Sequence, residues 1–195
     1  MTDDSALIIV DLQNDFCPGG ALAVREGDLI VPAANRYIAL FTAHGLPVFA
    51  SRDWHPPVTS HFKEFGGIWP PHCIRGTDGA AFHPLLQLPP DAVVVSKGMG
   101  YSHDDYSAFQ ARDDDGQPLP DLLAGLGVKR VYVCGLATDY CVKETVLEAL
   151  RHGLEATVLS DAIRGVELAP GDTHRALEAM HDAGARSATI TELEQ

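Results

Sequence analysis

A short segment near residue 140 places a cysteine between a strand and a helix. Residues 131–142 read Val-Tyr-Val-Cys-Gly-Leu-Ala-Thr-Asp-Tyr-Cys-Val. The apolar run at 131–134 predicts a buried strand, residues 135–140 a tight turn, and residues 142–151 a helix with one apolar face. Cys141 then lies at or beside the first turn of that helix, where free N–H groups and the helix dipole favour a thiolate. This placement makes Cys141 a candidate nucleophile.

Two further chemical side chains follow predicted strands. Asp11 ends the apolar run at 6–10, and Lys97 ends the run at 93–96. Residues at the carboxyl ends of parallel strands meet at one edge of the sheet, near the switch in strand order. Singly, Asp11 could be a helix cap or ion-pair partner, Lys97 a surface lysine and Cys141 an inert buried cysteine. Their coincidence at equivalent positions favours one site that contains an acid, an ammonium and a thiol.

A second group of residues has the chemistry of metal ligands. Asp53 and His55 are two positions apart on a predicted extended chain, so their side chains point to the same side. With His61 and His72 they form a set suited to zinc, iron or manganese, with coordination positions left open as in a catalytic site. A lone histidine here would more often be structural. Cys73 could compete as a ligand, although its adjacency to His72 makes simultaneous binding awkward.

Three aromatic residues flank these motifs, namely Phe16, Trp69 and Tyr106. Taken singly, each is about as well explained by core packing as by function. Together they could enclose a flat ring, because aromatic faces and edges pack well against one another. They are therefore candidates for substrate binding.

The rest of the pattern predicts the elements that position these residues. Strands are predicted at 6–10, 47–51, 93–96, 131–134, 156–159 and 188–190. Helices are predicted at 28–43, capped by Asp28 and ended by Gly45, and at 119–126, 142–151 and 170–183. The long irregular stretch at about 52–92, rich in Pro, Gly and His, is typical of a site-building insertion. The alternation predicts one α/β domain over residues 1–195, a three-layer α/β/α sandwich with a central, mainly parallel sheet.

Composition limits the classes of partner and compartment. The 195 residues include 14 basic and 27 acidic side chains, and the formal net charge of −13 argues against nucleic acid or an anionic membrane as a partner. No apolar run approaches the ~20 residues that span a bilayer, and the acidic N-terminus does not resemble a secretory signal. Because the four cysteines lack paired spacing, we expect a reducing compartment and a cytoplasmic protein.

These motifs resemble the nicotinamidase/pyrazinamidase branch of the isochorismatase-like cysteine hydrolases. The resemblance is carried by residues 10–16, 53–56, 69–73, 96–98 and 134–142, and it extends from residue 6 to about 160. The acid, ammonium and thiol mark the superfamily, and the Asp/His set narrows the resemblance to this branch. The fold that it implies is isochorismatase-like, with a Rossmann-like topology.

The resemblance implies hydrolysis of nicotinamide, and also of pyrazinamide, through a cysteine thioester in NAD salvage. Cys141 would attack the carboxamide carbon, Asp11 would carry the thiol proton to the leaving amine, and Lys97 would position Asp11 and favour the charged cysteine. A cis peptide is implied between Leu136 and Ala137. The backbone N–H groups of Ala137 and Cys141 would then form the oxyanion hole.

The resemblance also implies one divalent metal, with zinc expected first and iron or manganese as alternatives. Asp53, His55 and His72 match ligand positions of the family, and the metal would contact the pyridine nitrogen of the substrate. His61 is a less regular match, and Ser60 acting through a water molecule is the alternative. The implied partner is the small molecule nicotinamide, without nucleic acid or membrane, and a homo-oligomer is left open.

Three other interpretations share part of this pattern. A metal-free relative acting on isochorismate or a carbamoyl amide would need Asp11, Lys97 and Cys141 but not the Asp/His set. A non-catalytic binding protein would retain the fold alone. A thiol redox protein would use Cys134 with Cys141, although Cys134 is expected inside a strand.

Overall fold

Strands and helices alternate along the chain in a computed structural model that describes residues 2–102 and 104–194. The strands are β1 (Ser5–Val10), β2 (Val48–Asp53), β3 (Val93–Lys97), β4 (Arg130–Leu136), β5 (Glu155–Arg164) and β6 (Arg186–Ala188). The helices are α1 (Val31–Ala43), α2 (Leu119–Gly125), α3 (Lys143–Arg151), α4 (Asp172–Asp182) and α5 (Ile190–Leu193). None of the helices in these described ranges is long and apolar enough to cross a membrane.

The six strands form one sheet in the order β3-β2-β1-β4-β5-β6, and every neighbouring pair is parallel. The chain builds outward from β1 to β3 and then returns to add β4 on the other side of β1. The strand order therefore reverses between β1 and β4, which is where open parallel sheets place their binding crevices. The prediction of a Rossmann-like parallel sheet is confirmed.

Helices cover both faces of the sheet, which explains the continuous apolar runs of its strands. In β1, Leu7 and Ile9 pack into an apolar cluster with α1 and α5. The intervening Ala6, Ile8 and Val10 pack on the opposite face against α2, α3 and α4. The predicted three-layer arrangement is confirmed.

The strand predicted at 156–159 is longer than expected and runs on to Arg164. Two other predicted boundaries are wrong because local capping chemistry was misassigned. The helix predicted from Asp28 begins at Val31, after a 3₁₀ turn over Gly27–Ile30, and it has no side-chain cap. Proline in the first turn of α1 favours this later start, because its missing N–H has no intrahelical partner there. The final strand ends at Ala188, and Ile190 instead begins a short helix whose capping box is formed by Thr189 and Glu192.

Gly135 allows β4 to lie close against β1 beside the site. Its φ angle of 119° is one that side chains rarely adopt, and it pairs with Val10, the residue before Asp11. A Cβ atom at this position would lie 2.0 Å from the Val10 carbonyl oxygen and 2.7 Å from its nitrogen. No side chain fits without separating the two strands that carry Asp11 and Cys141.

Gly135→Ala should therefore lower the free energy of unfolding by roughly 2–5 kcal/mol, because steric displacement of β1 adds to the strained φ angle. Gly127→Ala is the matched control. Gly127 also has a positive φ, 69°, but a Cβ atom there would meet nothing within 4 Å, so only the backbone strain of roughly 1–2 kcal/mol is expected. Denaturant unfolding of both variants measures the difference, and equal losses would contradict the close approach.

Candidate active site

The carboxyl ends of four adjacent strands bring the chemical side chains together. Asp11 follows β1, Asp53 ends β2, Lys97 ends β3, and Cys141 follows β4 in the next turn. Their exposed fractions are 0%, 4%, 1% and 7% respectively, so the group is shielded from bulk water. The structure thus places side by side the four residues that the sequence predicts for the triad and the first metal ligand.

The ammonium of Lys97 lies at the centre of this group. Its Nζ is 2.8 Å from Asp11 Oδ2 and 3.5 Å from Cys141 Sγ, and it also donates a short hydrogen bond to Asp53 Oδ1. Burial opposes the charge, but Asp11 and Asp53 together raise the pKa of Lys97 well above its ordinary value. Lys97 is therefore a buried cation that holds two carboxylates in fixed positions.

Asp11 is held so that one carboxylate oxygen remains directed towards the lysine and the thiol. Its Oδ1 accepts a hydrogen bond from Ser51 Oγ at 2.7 Å, and its backbone N–H donates to the Ser51 carbonyl at 3.1 Å. Burial and the charge of Asp53 raise the pKa of Asp11, although Lys97 acts in the opposite direction. A carboxylate with a raised pKa is a stronger base, which suits a group that must accept a thiol proton.

Cys141 lies in a wide π-helical turn over Thr138–Val142 that leads directly into α3. The N–H of Val142 donates to the carbonyl of Ala137, five residues earlier, at 3.1 Å. This agrees with the predicted position at the start of the helix, although α3 itself begins two residues later, at Lys143. Turns of this type recur at functional sites.

Burial of Cys141 acts against the thiolate that the sequence predicts. Burial raises the pKa of Cys141 well above its ordinary value, and Asp11 and Asp53 add to this effect while Lys97 opposes it. Desolvation of a sulfur anion and repulsion by two carboxylates act against the thiolate, whereas the lysine favours it. Burial therefore favours the protonated thiol, and Asp11 is the neighbouring carboxylate able to accept its proton.

The peptide bond between Leu136 and Ala137 is cis, as the resemblance implies. Ala137 and Cys141 both line the cleft that contains the thiol. The role of their N–H groups in an oxyanion hole stays a prediction.

Three imidazoles gather beside the second carboxylate oxygen of Asp53. Asp53 Oδ2 lies 3.5 Å from His55 Nε2 and 3.7 Å from His72 Nε2, and the ring of His61 stacks on that of His55 with centroids 4.7 Å apart. Burial alone would raise the pKa of Asp53, but the ammonium of Lys97 opposes this effect, and the pKa lies well below its usual range. One carboxylate thus joins the triad to the imidazole cluster.

Hydrogen bonds to the outer ring nitrogens prepare this cluster for a metal ion. Nδ1 of His55 is 2.9 Å from the Gly98 carbonyl, and Nδ1 of His72 is 2.8 Å from the Pro70 carbonyl. A carbonyl at Nδ1 requires an N–H there, which leaves the lone pair on Nε2. His55 Nε2 is buried and has no hydrogen-bond partner within the described residues. Three imidazoles and a carboxylate match the donor chemistry of zinc sites, so these residues fit a divalent metal.

The structure separates the less regular ligand candidates. His61 is buried, and one of its ring nitrogens lies within 4.8 Å of those of His55 and His72. Ser60 is exposed. Cys73 is buried in the apolar cluster beneath α1 and does not belong to either group of converging ligand atoms among the described residues. The geometry therefore favours His61 over Ser60 or Cys73 as a fourth ligand.

An aromatic cleft opens onto both the thiol of Cys141 and the imidazoles of His61 and His72. Phe16, Trp69 and Tyr106 all line it, as the sequence predicts for substrate-binding residues. The indole Nε1 of Trp69 donates to the Tyr106 hydroxyl at 2.9 Å, which fixes the two rings relative to each other. A narrow, mostly apolar cleft with a few polar groups suits one small flat ring.

Sequence reasoning missed several residues of this cleft, namely Leu22, Asp105, Tyr140 and Val166. Tyr140 packs edge-on against Trp69 with centroids 4.9 Å apart, and its position next to Cys141 was the available signal. Gln13 was also missed. Its side-chain amide donates to the Asp53 carbonyl and accepts from the Asp53 N–H, both at 2.8 Å. It thereby fixes Asp53 relative to the strand that carries Asp11.

The cysteine arrangement argues against the thiol redox interpretation. All four cysteines are free. Cys134 packs into the apolar cluster beneath α1, whereas Cys141 belongs to the cluster on the opposite face of the sheet. These two thiols are therefore separated by the sheet and do not form a redox pair.

Comparison with known proteins finds one family along nearly the whole chain. The isochorismatase domain model matches residues 5–194. The nicotinamidase of Escherichia coli K12 is 42% identical in an alignment 209 positions long, which covers 97% of each chain. The nicotinamidase/pyrazinamidase of Mycobacterium tuberculosis is 43% identical over 181 residues, 91% of this chain and 95% of the relative.

A solved structure gives the same relationship in three dimensions. The pyrazinamidase of Pyrococcus horikoshii, crystallised in complex with zinc, superposes with a TM-score of 0.88 at 47% identity. The match covers 95% of this chain and 99% of that chain. The shared fold therefore extends over nearly the whole length of both proteins.

His72→Ala should lose most of its bound divalent metal, because the variant removes one imidazole from the converging set. His44→Ala is the matched control, since His44 is exposed just after α1 and its Nδ1 contacts the Leu40 carbonyl. Elemental analysis of both purified variants measures the metal content. Full metal content in the His72→Ala variant would exclude His72 as a metal ligand.

Proposed function

Since this chain belongs to the isochorismatase family, we propose that it is a nicotinamidase, which hydrolyses nicotinamide to nicotinate and ammonia and also accepts pyrazinamide. One observation carries the proposal: Asp53 contacts Lys97 of the triad through one oxygen and faces His55 and His72 through the other. One small cleft can thus hold a carboxamide at the thiol and a ring nitrogen at the imidazoles. The proposal includes a role in cytoplasmic NAD salvage, which rests on the family resemblance.

The cleft holds the substrate as a flat ring with a carboxamide at one end. Phe16, Trp69 and Tyr106 provide the surfaces that enclose the ring, and Cys141 lies where the carboxamide must enter. A divalent metal bound by Asp53 and the imidazoles would supply a Lewis acid that binds the ring nitrogen. Ring contacts at a distance from the reacting bond fix the carboxamide against the thiol, which lowers the entropic part of the barrier.

The first half of the reaction makes the thioester. Asp11 accepts the thiol proton as Cys141 Sγ bonds to the carboxamide carbon, so the sulfur anion never exists free in the buried site. The carbonyl oxygen becomes an oxyanion, for which the N–H groups of Ala137 and Cys141 are the proposed donors. Asp11 then gives its proton to the amine, the C–N bond breaks, and ammonia leaves.

The second half of the reaction releases the acid. A water molecule gives a proton to Asp11 while its oxygen attacks the thioester carbon. The C–S bond breaks, Cys141 recovers its proton from Asp11, and the carboxylic acid leaves as nicotinate after it loses its own proton to solvent. Lys97 stays charged throughout and keeps Asp11 directed at the sulfur, consistent with its 2.8 Å and 3.5 Å contacts to Asp11 and Cys141.

Ammonia release from nicotinamide and from pyrazinamide, measured on a preparation whose metal content is also determined, tests the proposal. We expect hydrolysis of both amides, loss of activity on chelation and recovery when zinc is restored. Full turnover by a metal-free sample would instead support a metal-free relative acting on isochorismate or a carbamoyl amide. Metal binding with no turnover of any of these substrates would support a binding protein that retains only the fold.

Cys141→Ala should abolish amide hydrolysis, because no other thiol reaches the cleft from the described part of the chain. Cys134→Ala is the matched control, since Cys134 is an equally buried cysteine on the other face of the sheet. It should retain near-normal kcat. Circular dichroism shows whether each variant keeps its fold. Measurable turnover by folded Cys141→Ala would show that Cys141 is not the nucleophile.

Asp11→Asn should lower kcat by about 10²–10⁴-fold, the range typical of a general base, since an amide cannot accept the thiol proton. The KM for nicotinamide should change much less, because Asp11 contacts the thiol and Lys97 rather than the aromatic walls. Steady-state kinetics separate the two parameters. A kcat within a factor of about ten of that of the unmodified protein would show that Asp11 is not the general base.

A further inference from the structure

Two consecutive acidic residues support the imidazole cluster from outside. Asp104 Oδ1 lies 2.5 Å from Nδ1 of His61. Asp105 Oδ2 accepts the backbone N–H of Gly98 at 3.1 Å, and the Gly98 carbonyl in turn accepts from Nδ1 of His55 at 2.9 Å. One short segment therefore reaches two of the three imidazoles, one directly and one through a backbone carbonyl.

The backbone of Gly98 lies unusually close to the ring of His55. Its φ angle is 66°, and a Cβ atom there would lie 2.4 Å from Cε1 and 2.6 Å from Nδ1 of His55. The backbone can approach the imidazole this closely only because residue 98 has no side chain. Asp105 holds the N–H of the same residue, so it fixes the carbonyl that orients His55.

His61 differs from the other two imidazoles in the partner of its outer nitrogen. His55 and His72 each donate to a backbone carbonyl, whereas His61 donates to the carboxylate of Asp104. A carboxylate at Nδ1 fixes the tautomer that presents the Nε2 lone pair and makes that nitrogen a stronger ligand. His61 also comes from the irregular segment between β2 and β3, where no regular element fixes its position.

The location of Asp104 makes a purely structural role a poor explanation. Its side chain is 51% exposed, and His61 is its one ion-pair or hydrogen-bond partner within the described residues. A pair with one half-exposed member contributes little to folding stability, because water screens the charge. Removal of the Asp104 carboxylate should therefore change the orientation of His61 rather than the stability of the fold.

We propose that Asp104 is a positioning residue that holds His61 as the fourth protein ligand of the divalent metal, with Asp105 supporting His55 through Gly98. The inference rests on the metal in the proposed function and adds residues that the nucleophile, base and ligand roles do not include. It explains why His61 faces the cluster despite its irregular spacing from His55. It also accounts for Asp105 at the wall of the cleft without giving it contact with the reacting bond.

The affinity for Zn²⁺, measured by competition with a chromophoric chelator, tests the proposal without reference to catalysis. Asp104→Ala should weaken Zn²⁺ binding by about 10- to 100-fold, the loss typical of removing an outer-shell partner. Asp114→Ala is the charge-matched control, because it removes the same charge from a side chain that is 92% exposed. Asp104→Glu, which keeps a carboxylate, should recover part of the affinity.

A double-mutant cycle decides whether Asp104 acts through His61. In a His61→Ala background, adding Asp104→Ala should change the Zn²⁺ affinity by less than about twofold, because the group that it positions is gone. In the Co²⁺-loaded proteins, the visible d–d absorption of Asp104→Ala should resemble that of His61→Ala. The denaturation midpoint of the metal-free protein should stay unchanged in Asp104→Ala.

The outcomes that overturn the inference are distinct from those that reject the nicotinamidase assignment. Unchanged Zn²⁺ affinity in Asp104→Ala would overturn the inference. So would an equal loss of Zn²⁺ affinity on adding Asp104→Ala with and without His61→Ala, or an unmodified protein that binds no divalent metal. Failure of the metal-loaded protein to hydrolyse nicotinamide rejects the assignment and leaves the affinity measurements intact.

Discussion

The buried ammonium of Lys97, shared between Asp11 and Asp53, is the interaction on which the site depends. Two carboxylates this close in a site closed to solvent would repel each other strongly, and one would take up a proton. The ammonium lets both remain available, Asp11 towards the thiol and Asp53 towards the imidazoles. The two carboxylates and the ammonium sum to one negative charge. A divalent cation on the imidazole side of Asp53 would offset that charge, which would link metal binding to the electrostatics of the triad.

The sheet topology explains how residues far apart in sequence can share one ammonium. β3, β2, β1 and β4 are neighbours in that order, and their carboxyl ends carry Lys97, Asp53, Asp11 and Cys141. The spacing between β1 and β4 depends on Gly135, where the absence of a side chain permits close contact with Val10. The long segment between β2 and β3 then folds over this edge and adds the remaining imidazoles and Trp69. The regular sheet provides precision for the chemistry, and the irregular segment provides the imidazoles and one aromatic wall.

Much of this arrangement was predictable from sequence because it follows from local patterns. The apolar runs identified the strands, and the polar residue after each run identified the triad. The start of α1 and the switch from β6 to α5 were not predictable, because they depend on which of several capping residues the tertiary structure engages. Asp104 and Asp105 carried no signal either, since two acidic residues in a polar loop resemble any solvated turn. Their significance appears only when the loop is placed against His61 and Gly98.

The protonation of Cys141 depends on burial as well as on its local position, and it bears on selectivity. The helix start and a nearby lysine favour a thiolate, but burial and two carboxylates act in the opposite direction and prevail. Because cysteine reactivity follows thiolate character and exposure, a raised pKa and an exposed fraction of 7% should make Cys141 a poor target for oxidants and large electrophiles. In the proposed mechanism, deprotonation is coupled to attack through Asp11, so the nucleophile forms only when an electrophilic carbon occupies the cleft. The burial that weakens the resting thiol thus confines its chemistry to molecules small and flat enough to enter between the aromatic walls.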